Sequence, residues 1–173
     1  MTSKILPSAE RVRELLSYDP ETGSCVWRVS RNGCKVGGVA GSLRSDGYLN
    51  MRIDGRSYLA HRVAFLYIHG IWPTNQIDHI DRIKSNNRID NLREATVSEN
   101  GQNRHLAQSN NRSCGLLGVT WHKGDSKWMA QLCVDGKRNY LGSFALPEEA
   151  HAAYLRAKND LHPFSTLPHL VLI

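Results

Sequence analysis

The chain has 173 residues, of which 40% are hydrophobic and 22% are charged, and its formal net charge is +6. This length suits one ordinary domain or two small ones, and the composition is that of a globular protein in solution. No apolar run approaches the length of about 18 residues that a membrane span needs, and the N-terminus lacks the apolar core of a signal peptide. These features predict a cytoplasmic protein without a membrane partner, and the positive charge favours a polyanionic one.

The four cysteines give no sign of a disulfide framework. Cys25, Cys34, Cys114 and Cys133 include no C-x-x-C pair, and no Cys/His cluster has zinc-finger spacing. We interpret them as reduced thiols that serve mainly in packing. A zinc site made from Cys25 and Cys34 is the less favoured alternative.

The first part of the chain alternates between helical and strand patterns. Residues 8–18 have the apolar spacing of a short helix, with Ser8 as its N-cap, and residues 19–23 (Asp-Pro-Glu-Thr-Gly) form a turn. Asp54-Gly55 is a strong signal for a tight hairpin turn. A helix is predicted over residues 62–68, ended by Gly70 and Pro73. The short runs predicted as strands are residues 25–29, 36–40, 48–53 and 57–59.

A constellation of polar residues follows between positions 76 and 100. Phosphodiester hydrolysis needs a base and a cation, and His79 is suited to be the base while Asp78 and Asn100 supply oxygen ligands for Mg²⁺. Asn91 can orient the imidazole through hydrogen bonds. The alternative is that these are ordinary loop residues, because neighbours on an extended strand point to opposite faces. The residues alone leave both interpretations open.

The last third of the chain has a pattern of three strands and a helix. Residues 106–117 are polar and turn-forming, which predicts a linker. Three strand patterns then begin at positions 118, 127 and 138, and a helix begins near Pro147. Alternation along the middle strand predicts that Trp128, Ala130 and Leu132 face the helix.

Many motifs from residue 15 to residue 104 occur in the order found in HNH endonucleases of the phage and intron-homing type, which this stretch resembles. The matching segments are residues 18–23, 41–42, 46–48, 58–64, 77–81, 86–93 and 96–100. The resemblance implies a ββα-metal fold, with Asp78 as a metal ligand, His79 as the general base, Asn91 orienting His79, and Asn100 as the ligand on a helix. The family commonly carries His-Arg at the position of His61, and we expect His61 to be structural in preference to catalytic.

The resemblance has one departure, since Asn100 stands where the family name requires a histidine. An amide oxygen favours Mg²⁺ or Mn²⁺ over zinc. No small-molecule cofactor is expected.

Residues 115–165 resemble the APETALA/ethylene-response-factor type of DNA-binding domain, through the segments 118–123, 127–132, 140–144 and 148–154. That resemblance implies that the outer face of a three-stranded antiparallel sheet enters the major groove. The plant domains carry arginines where this chain has Thr120 and His122. The residues predicted to contact DNA are Thr120, His122, Lys123, Lys127, Gln131, Arg138 and Tyr140.

Together these patterns predict an α+β protein with an HNH nuclease domain at residues 1–105, a linker at 106–117 and a DNA-binding domain at 118–173. The predicted function is metal-dependent hydrolysis of phosphodiester bonds in double-stranded DNA by a homing-type enzyme, encoded by a phage or prophage in a bacterial host. One site per chain predicts nicking by a monomer, and a double-strand break needs a second copy. The alternatives are a DNA-binding regulator built on a decayed nuclease, and a nuclease specific for branched or nicked DNA.

Overall fold

The computed structural model describes residues 6–30, 33–107 and 114–166, which form a mixed α/β structure with small antiparallel sheets. Contacts between residues divide the chain into two compact units, Met1–Thr96 and Val97–Ile173. The helices are α1 (Ala9–Leu15), α2 (Ala60–His69), α3 (Val97–Gln102) and α4 (Pro147–Leu161). The strands are β1 (Leu16–Tyr18), β2 (Cys25–Trp27), β3 (Ser42–Leu43), β4 (Leu49–Ile53), β5 (Arg56–Leu59), β6 (Gln76–His79), β7 (Leu92–Ala95), β8 (Val119–His122), β9 (Lys127–Val134) and β10 (Lys137–Phe144).

The first helix begins where the sequence predicts and ends earlier. Ser8 caps α1, since its hydroxyl oxygen accepts a hydrogen bond from the Arg11 N–H at 3.2 Å. The prediction that the helix continues to Tyr18 is wrong, because residues 16–18 form β1 and pair antiparallel with β2. Strand pairing across the turn at residues 19–23 therefore prevails over the helical spacing of the apolar residues.

The core of the first unit lies between α1, α2 and the strands β4 and β5. Val12, Ile53, Val63 and Leu66 have at most 1% of their surface exposed. The predicted hairpin turn joins β4 to β5, and its residues Asp54 and Gly55 have φ of 46° and 81°, the left-handed conformation of a type I′ turn. In place of the strand predicted over residues 36–40 there is a single bridge, between Val39 and Val26.

Helix α2 leads the chain to the strand that carries the predicted base. The helix ends at Gly70, which has φ of 78° and donates its N–H to the Leu66 carbonyl oxygen; only glycine adopts this conformation without strain. The chain then enters β6, which pairs antiparallel with β7 over four residues. A single 3-10 turn, Ile89–Asn91, precedes β7.

The second unit contains a three-stranded antiparallel sheet in the order β10-β9-β8, with α4 packed on one face. Ala130 and Leu132 are buried and Trp128 is half-buried on the side of the helix, which confirms the predicted inner face. Gly118 lets the helix come close: a Cβ at this position would lie 1.9 Å from the ring of Tyr154.

Helix α3 groups with the second unit, whereas the sequence placed it in the nuclease domain. The side-chain oxygens of Gln102 and Asn103 accept hydrogen bonds from the Phe164 N–H and the Thr166 hydroxyl at 3.2 and 2.6 Å. The Lys158 ammonium group, which is fully buried, donates to the carbonyl oxygen of Arg104. The predicted linker at 106–117 lies in part outside the described residues.

None of the helices in the described part of the chain has both the length and the hydropathy that a membrane span requires.

Candidate functional site

Strand β6 places Asp78 and His79 next to each other in the first unit, where they are 5% and 4% exposed. Asp78 lies opposite Arg93 in the β6–β7 register, so their side chains share one face of the ribbon. The Oδ2 atom of Asp78 accepts hydrogen bonds from Arg93 Nε at 2.9 Å and from Arg93 Nη2 at 2.7 Å. The guanidinium thus compensates the negative charge of a buried carboxylate.

A hydrogen bond to Asn87 fixes the tautomer of His79. The Nε2 atom of His79 lies 3.2 Å from Asn87 Oδ1, and Asn87 Nδ2 donates to the Ser85 carbonyl oxygen at 3.3 Å. Because an amide oxygen only accepts, Nε2 carries the hydrogen and Nδ1 of His79 keeps its lone pair. Burial lowers the pKa of His79 and outweighs the hydrogen bond to Asn87, which acts in the opposite direction. The imidazole is therefore neutral near pH 7 and able to act as a base.

Asn91 ties the two ends of the loop that follows His79. Its Nδ2 donates to Asp81 Oδ1 and to the Asn86 carbonyl oxygen, each at 2.9 Å, and its Oδ1 accepts from the Asp81 N–H at 2.9 Å. Asp81 also accepts from Asn86 Nδ2 at 2.6 Å and from the Ile83 N–H at 2.8 Å. The sequence assigned the orientation of His79 to Asn91, whereas the amide that contacts the imidazole is that of Asn87.

The segment at residues 18–23 contacts the backbone of Asn87 and its neighbours. The hydroxyl of Tyr18 donates to the Asn87 carbonyl oxygen at 2.7 Å, and the Pro20 carbonyl oxygen accepts from the Ile89 N–H at 3.1 Å. Gly23 has φ of +72°, and a Cβ there would lie 2.5 Å from the backbone of Asn87 and Arg88. The turn motif thus acts on the site through the backbone of the residue that holds His79.

Two further rings surround His79. The His61 ring, from α2, is perpendicular to the His79 ring with centroids 5.0 Å apart, and the Tyr48 ring lies 5.3 Å from His61 and 5.9 Å from His79. Burial lowers the pKa of His61 to about 3, so this imidazole is neutral. Neither Asn87 nor Tyr48 is among the predicted site residues, because their proximity to His79 depends on tertiary contacts that no local spacing encodes.

The donor chemistry of the predicted ligands suits a hard cation. Asp78 carries a carboxylate on β6 of the first unit, and Asn100 carries an amide on α3 of the second unit. Within the described residues no three His, Cys, Asp or Glu side chains form a group that could hold a metal.

The predicted DNA-contacting residues lie on the sheet of the second unit, mostly on one face. Thr120 pairs with Met129, His122 with Lys127, Tyr140 with Gln131, and Arg138 with Cys133. Directly paired residues share a face, so these side chains lie opposite the face that packs on α4. Lys123 is in the turn after β8. All of the predicted contacts except the half-buried Gln131 are exposed. Nδ1 of His122 lies 3.1 Å from Oδ2 of Asp125 in the turn between β8 and β9.

Comparisons with known proteins point to the same part of the chain as the buried His79 cluster. Residues 58–102 match a family model described as HNH endonuclease. Protein 3.8 of Escherichia phage T7 is 36% identical over 86 residues, which cover 50% of this chain and 69% of the phage protein. No solved structure gives a significant match. The matched domain is that of a nuclease, HNH nucleases generally use divalent metals, and DNA is the substrate that the domain indicates. The chain thus contains an HNH endonuclease domain and belongs to the same family as protein 3.8 of Escherichia phage T7.

Proposed function

We propose that this protein is a metal-dependent endonuclease that hydrolyses phosphodiester bonds in double-stranded DNA. The observation that supports the proposal most is the state of His79: a buried, neutral imidazole whose Nε2 is bound by Asn87 and whose Nδ1 is the basic nitrogen. The residue lies inside the segment that matches the HNH endonuclease model. A base in this state is suited to take a proton from water near pH 7.

The proposed reaction begins with proton transfer from a water molecule to Nδ1 of His79. The resulting hydroxide attacks the phosphorus atom, the bond from phosphorus to the leaving oxygen breaks, and that oxygen takes a proton from solvent. Asn87 keeps its hydrogen bond to Nε2 throughout, so the ring does not rotate when it becomes charged. Asn91 preserves the shape of the loop that presents Asn87.

Asp78 and Asn100 are the residues that would hold the cation. A bound divalent ion supplies stabilisation of the negative charge that develops on the phosphate. We propose Mg²⁺, with Mn²⁺ as its substitute, because carboxylate and amide oxygens are hard ligands. Arg93 would hold the Asp78 carboxylate in place before the cation binds, since its guanidinium neutralises the buried charge.

The second unit is proposed to bind duplex DNA in the manner of an APETALA/ethylene-response-factor domain. Arg138, Lys127 and Lys123 would contact phosphates, which fixes position along the duplex. Thr120, His122, Gln131 and Tyr140 would lie against the base edges if the outer sheet face enters the major groove. The exposed side chains of this face and the net charge of +6 support the proposal.

A chain with one such site would cut one strand, so we propose that the monomer nicks and that two copies make a double-strand break. The relationship to a phage T7 protein supports an origin in a phage or prophage, acting in the cytoplasm of a bacterial host. We further propose a homing-type role, in which cleavage occurs at a defined site. A nuclease specific for branched DNA would instead cut junctions in preference to any sequence.

The proposal is tested by incubating purified protein and supercoiled plasmid with Mg²⁺, with Mn²⁺ and with EDTA. We expect nicked circles with either metal and none with EDTA. Absence of nicked and linear product at every protein and metal concentration would overturn the proposal. If the same preparation still bound duplex DNA equally well with and without metal in a gel-shift assay, the result would favour the DNA-binding regulator.

A further inference from the structure

A second buried histidine, His61, lies beside His79. His61 is 5% exposed, and its Nδ1 atom is buried without a hydrogen-bond partner among the described residues. Its ring is perpendicular to that of His79, at a centroid distance of 5.0 Å. We propose that His61 is a positioning residue for His79, acting through its ring nitrogens; the inference rests on the proposed function, in which His79 is the base.

Packing alone does not account for an imidazole at this position. The neighbouring buried residues of α2 are Ala60, Val63, Ala64 and Leu66, so His61 occupies the apolar face of the helix. A buried polar atom without a hydrogen-bond partner lowers the stability of the fold relative to a satisfied one. A phenylalanine or leucine would fill the space without that cost. A residue that lowers stability beside a catalytic group is typical of a functional requirement.

The contact suits a role in orienting the base. Asn87 holds the His79 ring through Nε2, and the His61 ring stands perpendicular to the same ring. An imidazole has two nitrogens that can interact with a polar neighbour, whereas a phenyl ring of similar bulk has none. His61 therefore helps to orient His79.

The test compares full-length wild type with His61→Phe, His61→Leu and His61→Gln in single-turnover nicking of supercoiled plasmid at saturating Mg²⁺. His69→Phe is the matched control, because His69 is an exposed histidine at the end of the same helix. Thermal unfolding, the Kd for duplex DNA and the Mg²⁺ concentration for half-maximal rate are measured for each variant. His79→Ala shows the rate without the base.

We expect His61→Phe and His61→Leu to unfold at or above the wild-type temperature and to nick at least tenfold more slowly, with DNA and Mg²⁺ affinities unchanged. His61→Gln, which restores a lone pair, should recover part of the rate, and His69→Phe should match wild type. Wild-type rates in either apolar variant would overturn the inference while leaving the proposed function intact. If His61→Phe does not fold, His61→Leu decides in the same way. A wild type that does not nick would instead overturn the proposed function.

Discussion

The two units hold their polar residues in contrasting ways. In the first unit most polar residues around His79 are buried or half-buried and hydrogen-bonded to one another, as in the bonds of Asn91 to Asp81 and Asn86 and of Asn87 to His79. In the second unit the predicted DNA-contacting side chains stand exposed on one sheet face. A buried network has one arrangement and fails as a whole, whereas an exposed face adapts and loses contacts one at a time. Substitutions should therefore have large effects in the first unit and graded effects in the second.

The largest effects on stability are expected where a glycine permits close packing. Gly23→Ala would force a Cβ to within 2.5 Å of the Asn87 backbone, and Gly118→Ala would force one to within 1.9 Å of Tyr154. Each should lower the free energy of unfolding by about 3 kcal/mol or more, since strain at positive φ adds to the steric clash. Circular dichroism melts measure this.

The two glycine variants also separate the units by function. Gly23→Ala should reduce nicking more than DNA binding, and Gly118→Ala should weaken DNA binding. Gly55→Ala is the control, because Gly55 also has a positive φ, +81°, yet a Cβ at this position would meet no described atom within 4 Å. Equal melting temperatures for all three variants would contradict the close packing at Gly23 and Gly118 and the open space at Gly55.

The next largest effect is expected at Asn87. Asn87→Ala removes the hydrogen bond to His79 Nε2, so the base loses both its tautomer and its orientation. The single-turnover nicking rate should fall about 10- to 100-fold, the range typical of residues that orient a reacting group. Asn87→Asp keeps a hydrogen-bond acceptor, so its nicking rate should fall less than that of Asn87→Ala. Nicking by Asn87→Ala at the wild-type rate would show that another residue orients the imidazole.

A smaller effect is expected on the sheet of the second unit. Arg138→Ala should weaken binding to duplex DNA by about three- to tenfold and lower the slope of log K against log salt by about 1, since one phosphate contact is lost. The nicking rate at saturating DNA should not change. Arg156→Ala, which removes the same charge from an exposed position on α4, is the control. Equal losses in both variants would indicate a general charge effect in place of a binding face.

The smallest effect is the change in the stability of the fold that we expect when the pH is lowered. Burial alone would raise the pKa of Asp81, but hydrogen bonds from Asn86, Ile83 and Asn91 lower it overall. A carboxyl whose pKa is lower in the folded state stabilises the fold above its unfolded pKa of about 4 and loses that contribution as the pH falls below it. Asp81→Asn should therefore reduce the decline in stability at acidic pH. A melt series from pH 3 to 7 would contradict this if both proteins declined equally.

Local patterns predicted the elements better than they predicted the partners within the site. Ser8, Asp54-Gly55 and Gly70 mark boundaries through their own backbone chemistry, and the structure has them where the sequence indicated. The helix predicted to Tyr18 ends three residues early because its last residues pair with β2, and pairing between segments is not encoded in helical spacing.

For the same reason, local sequence patterns could not identify the residue that is hydrogen-bonded to His79. Asn86 and Asn87 are adjacent and chemically identical in the sequence, and only the fold distinguishes the one that contacts the imidazole. The support from Tyr18 joins residues 69 positions apart. The motif at 18–23 was recognised through resemblance, and its physical role follows from the contact with Asn87.

Single-turnover nicking of supercoiled plasmid with Mg²⁺ shows whether His79 is the base of a DNA-cutting site. Wild type, His79→Ala and the exposed control His69→Ala are compared at equal DNA occupancy. We expect His79→Ala to nick about 10²- to 10⁴-fold more slowly, the usual contribution of a general base, while it binds DNA normally and His69→Ala cuts as wild type does. Nicking by His79→Ala at the wild-type rate would show that His79 is not the base.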